Sequence, residues 1–275
     1  MKIVTRLVNP RPELTFLTAL LALTAPVGAV TVVETFDGYT NGTDLTAIGG
    51  GGVWTPTAGY TVVDGGGVAG SKGLSSASSI FNWKAQSFVW STLAAGTKVS
   101  MALDFQTSSA GKFDDDRVGW TTNADSATST GNQLALQLDN TGETGMVVYW
   151  NSTRTNLNTL SGILASTWYR FNVEFTKLTD TSAGIQGMLT QLDGSGNLIG
   201  TSYVGTVPDT STFSNPAPTT LFTNSATQWP TYKNYSVTGG NADNATFGIT
   251  VVPEVSSMAL LSLLGLPLAL WRRRN

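Results

Sequence analysis

Three stretches of this chain alternate apolar and polar residues with a period of two, and that pattern constrains the fold more than any other feature. Val99, Met101, Leu103 and Phe105 interleave with Ser100, Ala102, Asp104 and Gln106. Leu134, Leu136 and Leu138 interleave with Gln133, Ala135, Gln137 and Asp139. Tyr169, Phe171, Val173 and Phe175 interleave with Arg170, Asn172, Glu174 and Thr176. Successive side chains of a strand point to opposite faces, so each stretch predicts a strand with one side on a core and the other toward water. A register slip of one residue would turn a whole apolar set outward, so the register is well specified. The stretch from Gly145 to Asn151 is apolar on both sides and predicts a more central strand.

Further strands are expected at Val30–Phe36, Tyr60–Val63, Ser79–Trp83, Ser87–Trp90, Ile185–Leu192, Leu198–Val204 and Thr246–Val251. Clusters of Gly, Asn, Asp, Ser and Thr separate them, as turn chemistry requires. The body between the two ends shows no convincing helical period and no repeat of fixed length. Many short strands in about 220 residues predict one all-β domain, a two-sheet antiparallel jelly-roll sandwich over residues 30–250.

Composition excludes several chemistries. The 275 residues include neither Cys nor His. That removes disulfides, thiolate chemistry, imidazole bases, the Ser-His-Asp arrangement and histidine-bound zinc. Between Val30 and Glu254 lie 9 of the 15 Lys and Arg and 17 of the 18 Asp and Glu. The body therefore carries a net charge of about −8, which argues against nucleic acid as a partner.

Both ends read as addresses. Lys2, Arg6 and Arg11 precede an apolar run, Leu14 to Leu23, and the small residues Val27-Gly28-Ala29 follow. This is the layout of a signal peptide (residues 1–29) cut by signal peptidase after Ala29. At the other end, Val255 to Trp271 carries no charge and is followed by Arg272, Arg273 and Arg274. A helix over that run would be roughly 25 Å long, the short end of what spans a bilayer. A core helix would show a single apolar face, whereas this run is apolar all round. The arginines would stop transfer and stay on the cytoplasmic side.

Val252-Pro253-Glu254-Val255, the apolar run and the arginine cluster together resemble the PEP-CTERM sorting signal, here residues 251–275. Val255 takes the place of the second proline of the family's Pro-Glu-Pro. The resemblance implies recognition and cleavage by an exosortase-type enzyme in Gram-negative, biofilm-forming bacteria. It also implies a protein first anchored in the inner membrane and then released to the cell surface or extracellular matrix.

The body has a second likeness. Glu34-Thr35-Phe36-Asp37-Gly38-Tyr39, Asn41-Gly42-Thr43-Asp44-Leu45, Val53-Trp54 and Trp168-Tyr169-Arg170 are similar to laminin-G-like, concanavalin-A-like jelly rolls. That likeness implies a fold that often binds glycans and often carries a structural calcium. Glu34 and Asp37 near the first strand, with Asp243 and Asn244 before the last, are the calcium candidates, because terminal strands of a jelly roll are commonly neighbours. Ordinary turn and edge residues would look the same. No other cofactor is expected.

The remaining motifs have plain readings. Asp193-Gly194-Ser195-Gly196-Asn197 has the spacing of a calcium loop, but Leu198 replaces the glycine such a loop needs, and a hairpin turn explains it better. Asp114-Asp115-Asp116 reads as a solvated loop, its repulsion relieved by calcium or, more cheaply, by Arg117 or Lys112. Of the tryptophans, Trp120 and Trp229 are the expected surface pair for stacking on sugar rings, with the others in the core. Retaining glycosidases of this fold carry paired carboxylates on one strand, and no Glu-x-Asp-x-x-Glu occurs here. The expectation is a non-catalytic glycan-binding or structural protein of the exopolysaccharide layer. The alternative is a glycan-active hydrolase or lyase with carboxylates drawn from distant strands.

Overall fold

The computed structural model describes residues 29–251, apart from 52, 56–58, 76–79, 126–132, 142–144, 151–152, 214–218, 224–226 and 236–239. The signal peptide through Gly28 and the sorting segment with Val252, Pro253, Glu254, Val255 and Arg272 to Arg274 lie outside the described residues. Among the described residues no helix is long and apolar enough to cross a membrane.

Among the described residues fifteen strands form the sandwich. In chain order they are β1 (Ala29–Glu34), β2 (Trp54–Thr55), β3 (Val62–Val63), β4 (Gly73–Leu74), β5 (Ile80–Trp83), β6 (Lys98–Gln106), β7 (Asp114–Thr121) and β8 (Gln133–Asp139). Then follow β9 (Gly145–Trp150), β10 (Thr153–Asn158), β11 (Trp168–Thr179), β12 (Ser182–Leu192), β13 (Leu198–Val207), β14 (Trp229–Lys233) and β15 (Ala242–Thr250). A short helix, α1 (Thr219–Thr223), precedes β14. Every pairing is antiparallel. The eight-stranded sheet runs β13-β12-β11-β6-β15-β4-β3, with β1 also on β15. The seven-stranded sheet runs β10-β9-β8-β7-β14-β5-β2. This is the two-sheet jelly-roll sandwich that the alternation predicts, and residues Ala29 to Val251 form one compact unit. First and last strands are neighbours, with Glu34 in register with Ala245.

The three alternating stretches are β6, β8 and β11, and their apolar sets are buried between the sheets. Each fully buried Leu, Val or Phe contributes about 1.5–3 kcal/mol relative to exposure. Aromatic side chains fill much of the rest. Trp54 stacks on Trp83 with centroids 4.9 Å apart, and Trp150 lies nearly parallel to Phe213 at 4.2 Å. Gly187 of β12 and Gly205 of β13 pair in register and leave a notch opposite β9. A Cβ at Gly187 would come within 2.6 Å of the Met146 sulfur, and one at Gly205 within 2.7 Å. The thioether of Met146 therefore occupies room that only paired glycines provide.

Several expectations need correction. Asp114, Asp115 and Asp116 are not a loop but the start of β7. Residues 87–90 form no strand: Phe88 makes an isolated bridge to Gln228, and Trp90 opens a 3-10 turn. That turn is held by Gln228 Oε1, which accepts from the Trp90 N–H at 2.8 Å, and by the Lys177 ammonium, which donates to the Trp90 carbonyl at 2.8 Å. Trp120 is fully buried, stacked with Trp90 at 6.3 Å, rather than on the surface. The Asp193 segment is the β12–β13 hairpin turn; Asp193 Oδ1 accepts from the N–H groups of Ser195 and Asn197.

Candidate functional site

The face of the seven-stranded sheet turned away from the core carries polar side chains that are nonetheless buried. Alternation places Val118, Leu136, Val148, Phe81 and Tyr232 on the core side, so their neighbours lie on the opposite face. One cross-strand row there is Lys233–Arg117–Gln137–Val147, in register across β14, β7, β8 and β9. The adjacent row is Thr55–Asn82–Thr231–Gly119–Ala135–Tyr149–Arg154 and crosses the whole sheet. Gln137 is 0 % exposed, Arg117 2 % and Thr231 0 %. A charge or amide without water must be paired by the protein, so the hydrogen bonds of this face determine its chemistry.

Asp115 is the hub. The β7–β8 register shifts between Asp114 and Asp116, and Asp115 takes a positive φ of 65°. This bulge aims its carboxylate along the face, as bulges do at functional sites. Asp115 Oδ1 accepts from Arg117 Nε at 2.8 Å and also from Arg117 Nη2, while Oδ2 accepts from Lys233 Nζ. Arg117 Nε also donates to Gln137 Oε1 at 3.1 Å, and Nη1 to Gln133 Oε1 at 3.4 Å. The guanidinium lies over the Tyr149 ring at 3.7 Å, with Arg154 at 5.9 Å from the same centroid. Lys233 sits 4.6 Å from the Tyr235 ring centroid. At the other end, Thr231 donates to Asn82 Oδ1 at 2.6 Å, and the Ala124 carbonyl accepts from Asn82 and Thr55.

Carboxylates beside this hub have other roles. Asp116 points coreward; burial pushes its carboxyl well above the ordinary range, although the Tyr235 and Asp114 N–H groups donate to it. Burial also raises Asp114, with Asp139 and Asp115 adding repulsion against a lowering hydrogen bond from Thr141.

The residues singled out in the sequence are distributed differently. Glu34 and Asn244 lie on paired strands, and each of the four candidate residues has hydrogen-bond partners in the protein. Glu34 accepts from the Phe36 N–H at 2.9 Å and the Tyr39 hydroxyl at 2.8 Å, and Asp37 accepts from the Lys72 N–H at 2.9 Å. Asp243 accepts from the N–H groups of Val68 and Asn244 and from the Ser71 hydroxyl. The Asn244 amide donates to Asp104 at 2.8 Å. Among the described residues no group of three His, Cys, Asp or Glu side chains is gathered to hold a metal. Ala29 opens β1. Arg117 does relieve the aspartate run, as expected, but Lys112 donates instead to the Asn140 carbonyl at 2.9 Å. Trp229 stands in β14, partly buried. Gln133, Gln137, Tyr149 and Lys233 were not anticipated as site residues, since alternation alone gives a solvent-facing reading for the first two. The available signal was the Arg117 already invoked against the aspartates: its strand neighbours define the face.

The fold and this face define the class: an all-antiparallel jelly-roll sandwich with one internally bonded polar sheet face. No family model matches the chain, and no curated protein matches it. Among solved structures, it is similar to a lectin from Bauhinia forficata in complex with GalNAc, at 9% identity and a TM-score of 0.46, covering 82% of this chain and 100% of that one. It is also similar to a PL-14 alginate lyase from Aplysia kurodai, at 11% identity and a TM-score of 0.43, over 83% and 100% of the two chains. The VIP36 exoplasmic/lumenal domain, in a Ca2+/Man3GlcNAc-bound form, is similar at 12% identity and a TM-score of 0.40, over 77% and 89%. Likenesses this distant assign no ligand and no activity to this chain.

Proposed function

We propose that this chain is an exported protein of the cell surface or extracellular matrix whose body is a non-catalytic glycan-binding domain. In this reading the segment from Val252 is a sorting signal processed by an exosortase-type enzyme, after anchoring in the inner membrane. The polar face of the seven-stranded sheet is the binding face, and exopolysaccharide is the partner.

The single observation that carries the binding reading is the row of buried polar side chains across that face. Burying polar groups there is costly compared with apolar side chains of the same shape. A rigid sheet that holds amides, hydroxyls, a guanidinium and an aromatic ring in fixed register is suited to sugar rings, which offer hydroxyls at the edge and an apolar face. A hydrolytic role is less well supported, because Asp115, the carboxylate at the centre of the face, is engaged by both Arg117 and Lys233.

The test has two arms. Intact mass and cell fractionation are compared in hosts with and without an exosortase; loss of the segment after Glu254 only in the first supports the sorting reading, and an intact tail in both sinks it. The purified chain is then screened on a glycan array and incubated with bound polysaccharides. Binding without shortening of the polymer supports the reading, shortening would establish the hydrolase or lyase alternative, and no binding at all would remove the glycan function.

A further inference from the structure

Among the described residues one buried donor of the polar face stands without an acceptor, and it restricts what can complete the face. Gln137 is the clearest case. Its Oε1 accepts from Arg117 Nε at 3.1 Å. That contact settles the amide's orientation, because a turned amide would set N–H against N–H. The Nε2 is therefore directed away from Arg117, and among the described residues this buried nitrogen has no hydrogen-bond partner. Arg117 Nε already has Asp115 as an acceptor, and Leu or Met could fill the position without leaving two N–H groups unpaired, so neither packing nor the arginine requires the amide.

Acceptors around it are already occupied. Both oxygens of Asp115 are engaged by Arg117 and Lys233, and Gln133 Oε1 accepts from Arg117 Nη1. The next carboxylate along the face, Asp139, accepts from the N–H and hydroxyl of Thr141. The hydrogen-bonded group around Gln137 thus comprises two cations, the Asp115 carboxylate and the amides of Gln133 and Gln137, with Asp139 beyond it along the face. Its complement is a group that only accepts and that carries negative charge.

We infer that this face binds an acidic saccharide, with a sugar carboxylate received by Gln137 Nε2 at the cationic edge made by Arg117 and Lys233. This rests on the glycan reading of the face and adds the class of glycan, a polymer or oligosaccharide containing uronic acid. The body is acidic overall, with a net charge of about −8, so long-range attraction of polyanions is not the cause. Recognition comes from local donors and distinguishes a placed carboxylate from mere negative charge.

The test is calorimetric titration of the purified chain with polygalacturonate and polyglucuronate, and with the same polymers after reduction of their carboxyl groups. Dextran sulfate is the control for charge alone. At least one polyuronate is expected to bind about tenfold more tightly than its reduced form. Gln137→Met removes the N–H donors without adding charge, and Arg117 Nε keeps Asp115 as its acceptor; it is expected to weaken polyuronate binding by about tenfold and to change binding of the carboxyl-reduced polymer much less. Equal binding of acidic and reduced polymers overturns the inference while the glycan reading stands. Dextran sulfate binding as tightly as the polyuronates, insensitive to Gln137→Met, overturns it as well. Failure of every acidic, reduced and neutral glycan removes the glycan reading and the inference together. The polymer comparison uses the unaltered chain, so an unstable variant does not block the outcome.

Discussion

The guanidinium of Arg117 lies 3.7 Å from the centre of the Tyr149 ring, two strands away on the same face. The intervening residue in register with Tyr149 is Ala135, small enough to let the arginine lie flat. The same side chain forks onto Asp115. Lysine carries the charge but neither the plane nor the fork. Arg117→Lys is therefore expected to destabilise the protein by about 2 kcal/mol, from lost stacking and a lost charged hydrogen bond. Urea unfolding of the two proteins measures it, and indistinguishable midpoints would show that the stack and fork contribute nothing.

A second prediction concerns the glycine notch. Gly187→Ala brings a Cβ to within 2.3 Å of Leu136 Cδ1 and 2.6 Å of the Met146 sulfur. Both contacts are to flexible side-chain ends, so the expected cost is about 1–3 kcal/mol and not loss of the fold. Met146→Ala opens a cavity at a cost of about 2–5 kcal/mol. Combined, the two should cost less than their sum by about 1 kcal/mol, because the new methyl enters the vacated space. Strict additivity in a double-mutant cycle would show that the paired glycines have another purpose.

Much of this architecture was legible because burial on one side imposes period two. β6, β8 and β11 each show it, and all three are where alternation places them. β7 was hidden because its first three residues are aspartates, a composition typical of loops; a bulge and the Arg117–Lys233 pair make a strand of it instead. β14 begins Trp-Pro, which reads as a strand breaker, yet the Pro230 position pairs with Trp120 inside the sheet. The candidate face was illegible for the same reason: its members come from β7, β8, β9 and β14, and only the register between strands joins them. Alternation also cannot tell a polar residue facing water from one buried within a polar network, and Gln137 is of the second kind.

Trp120 shows what that ambiguity means energetically. It is fully buried among Trp90, Phe88, Phe175 and Phe222, and among the described residues its indole N–H has no hydrogen-bond partner. Trp120→Ala should cost about 3–5 kcal/mol, the range for deleting a large core aromatic. Trp120→Phe should cost less than about 1.5 kcal/mol, because the lost volume is offset by removal of an unpaired buried donor. Denaturant midpoints give both values. A phenylalanine variant as unstable as the alanine variant would mean that the N–H is satisfied and the ring position is not the dominant contribution.

Asp243 sets a pH dependence whose sign is opposite to that of most carboxylates. Burial pushes it from 3.8 up to about 6, against the lowering effect of the Val68, Ser71 and Asn244 donors, and neighbouring Asp104 adds repulsion. The folded protein therefore holds a proton that the unfolded chain releases. This group's contribution to stability is complete below about pH 3.8 and is lost as the pH rises through about 6. Asp243→Asn does not titrate. Its stability relative to the unaltered chain should rise by up to about 1.4 kcal/mol per pH unit within that window and level off above it. Urea unfolding of both proteins across the window tests this; a constant difference between them would place the Asp243 carboxyl at its ordinary value and remove the buried proton.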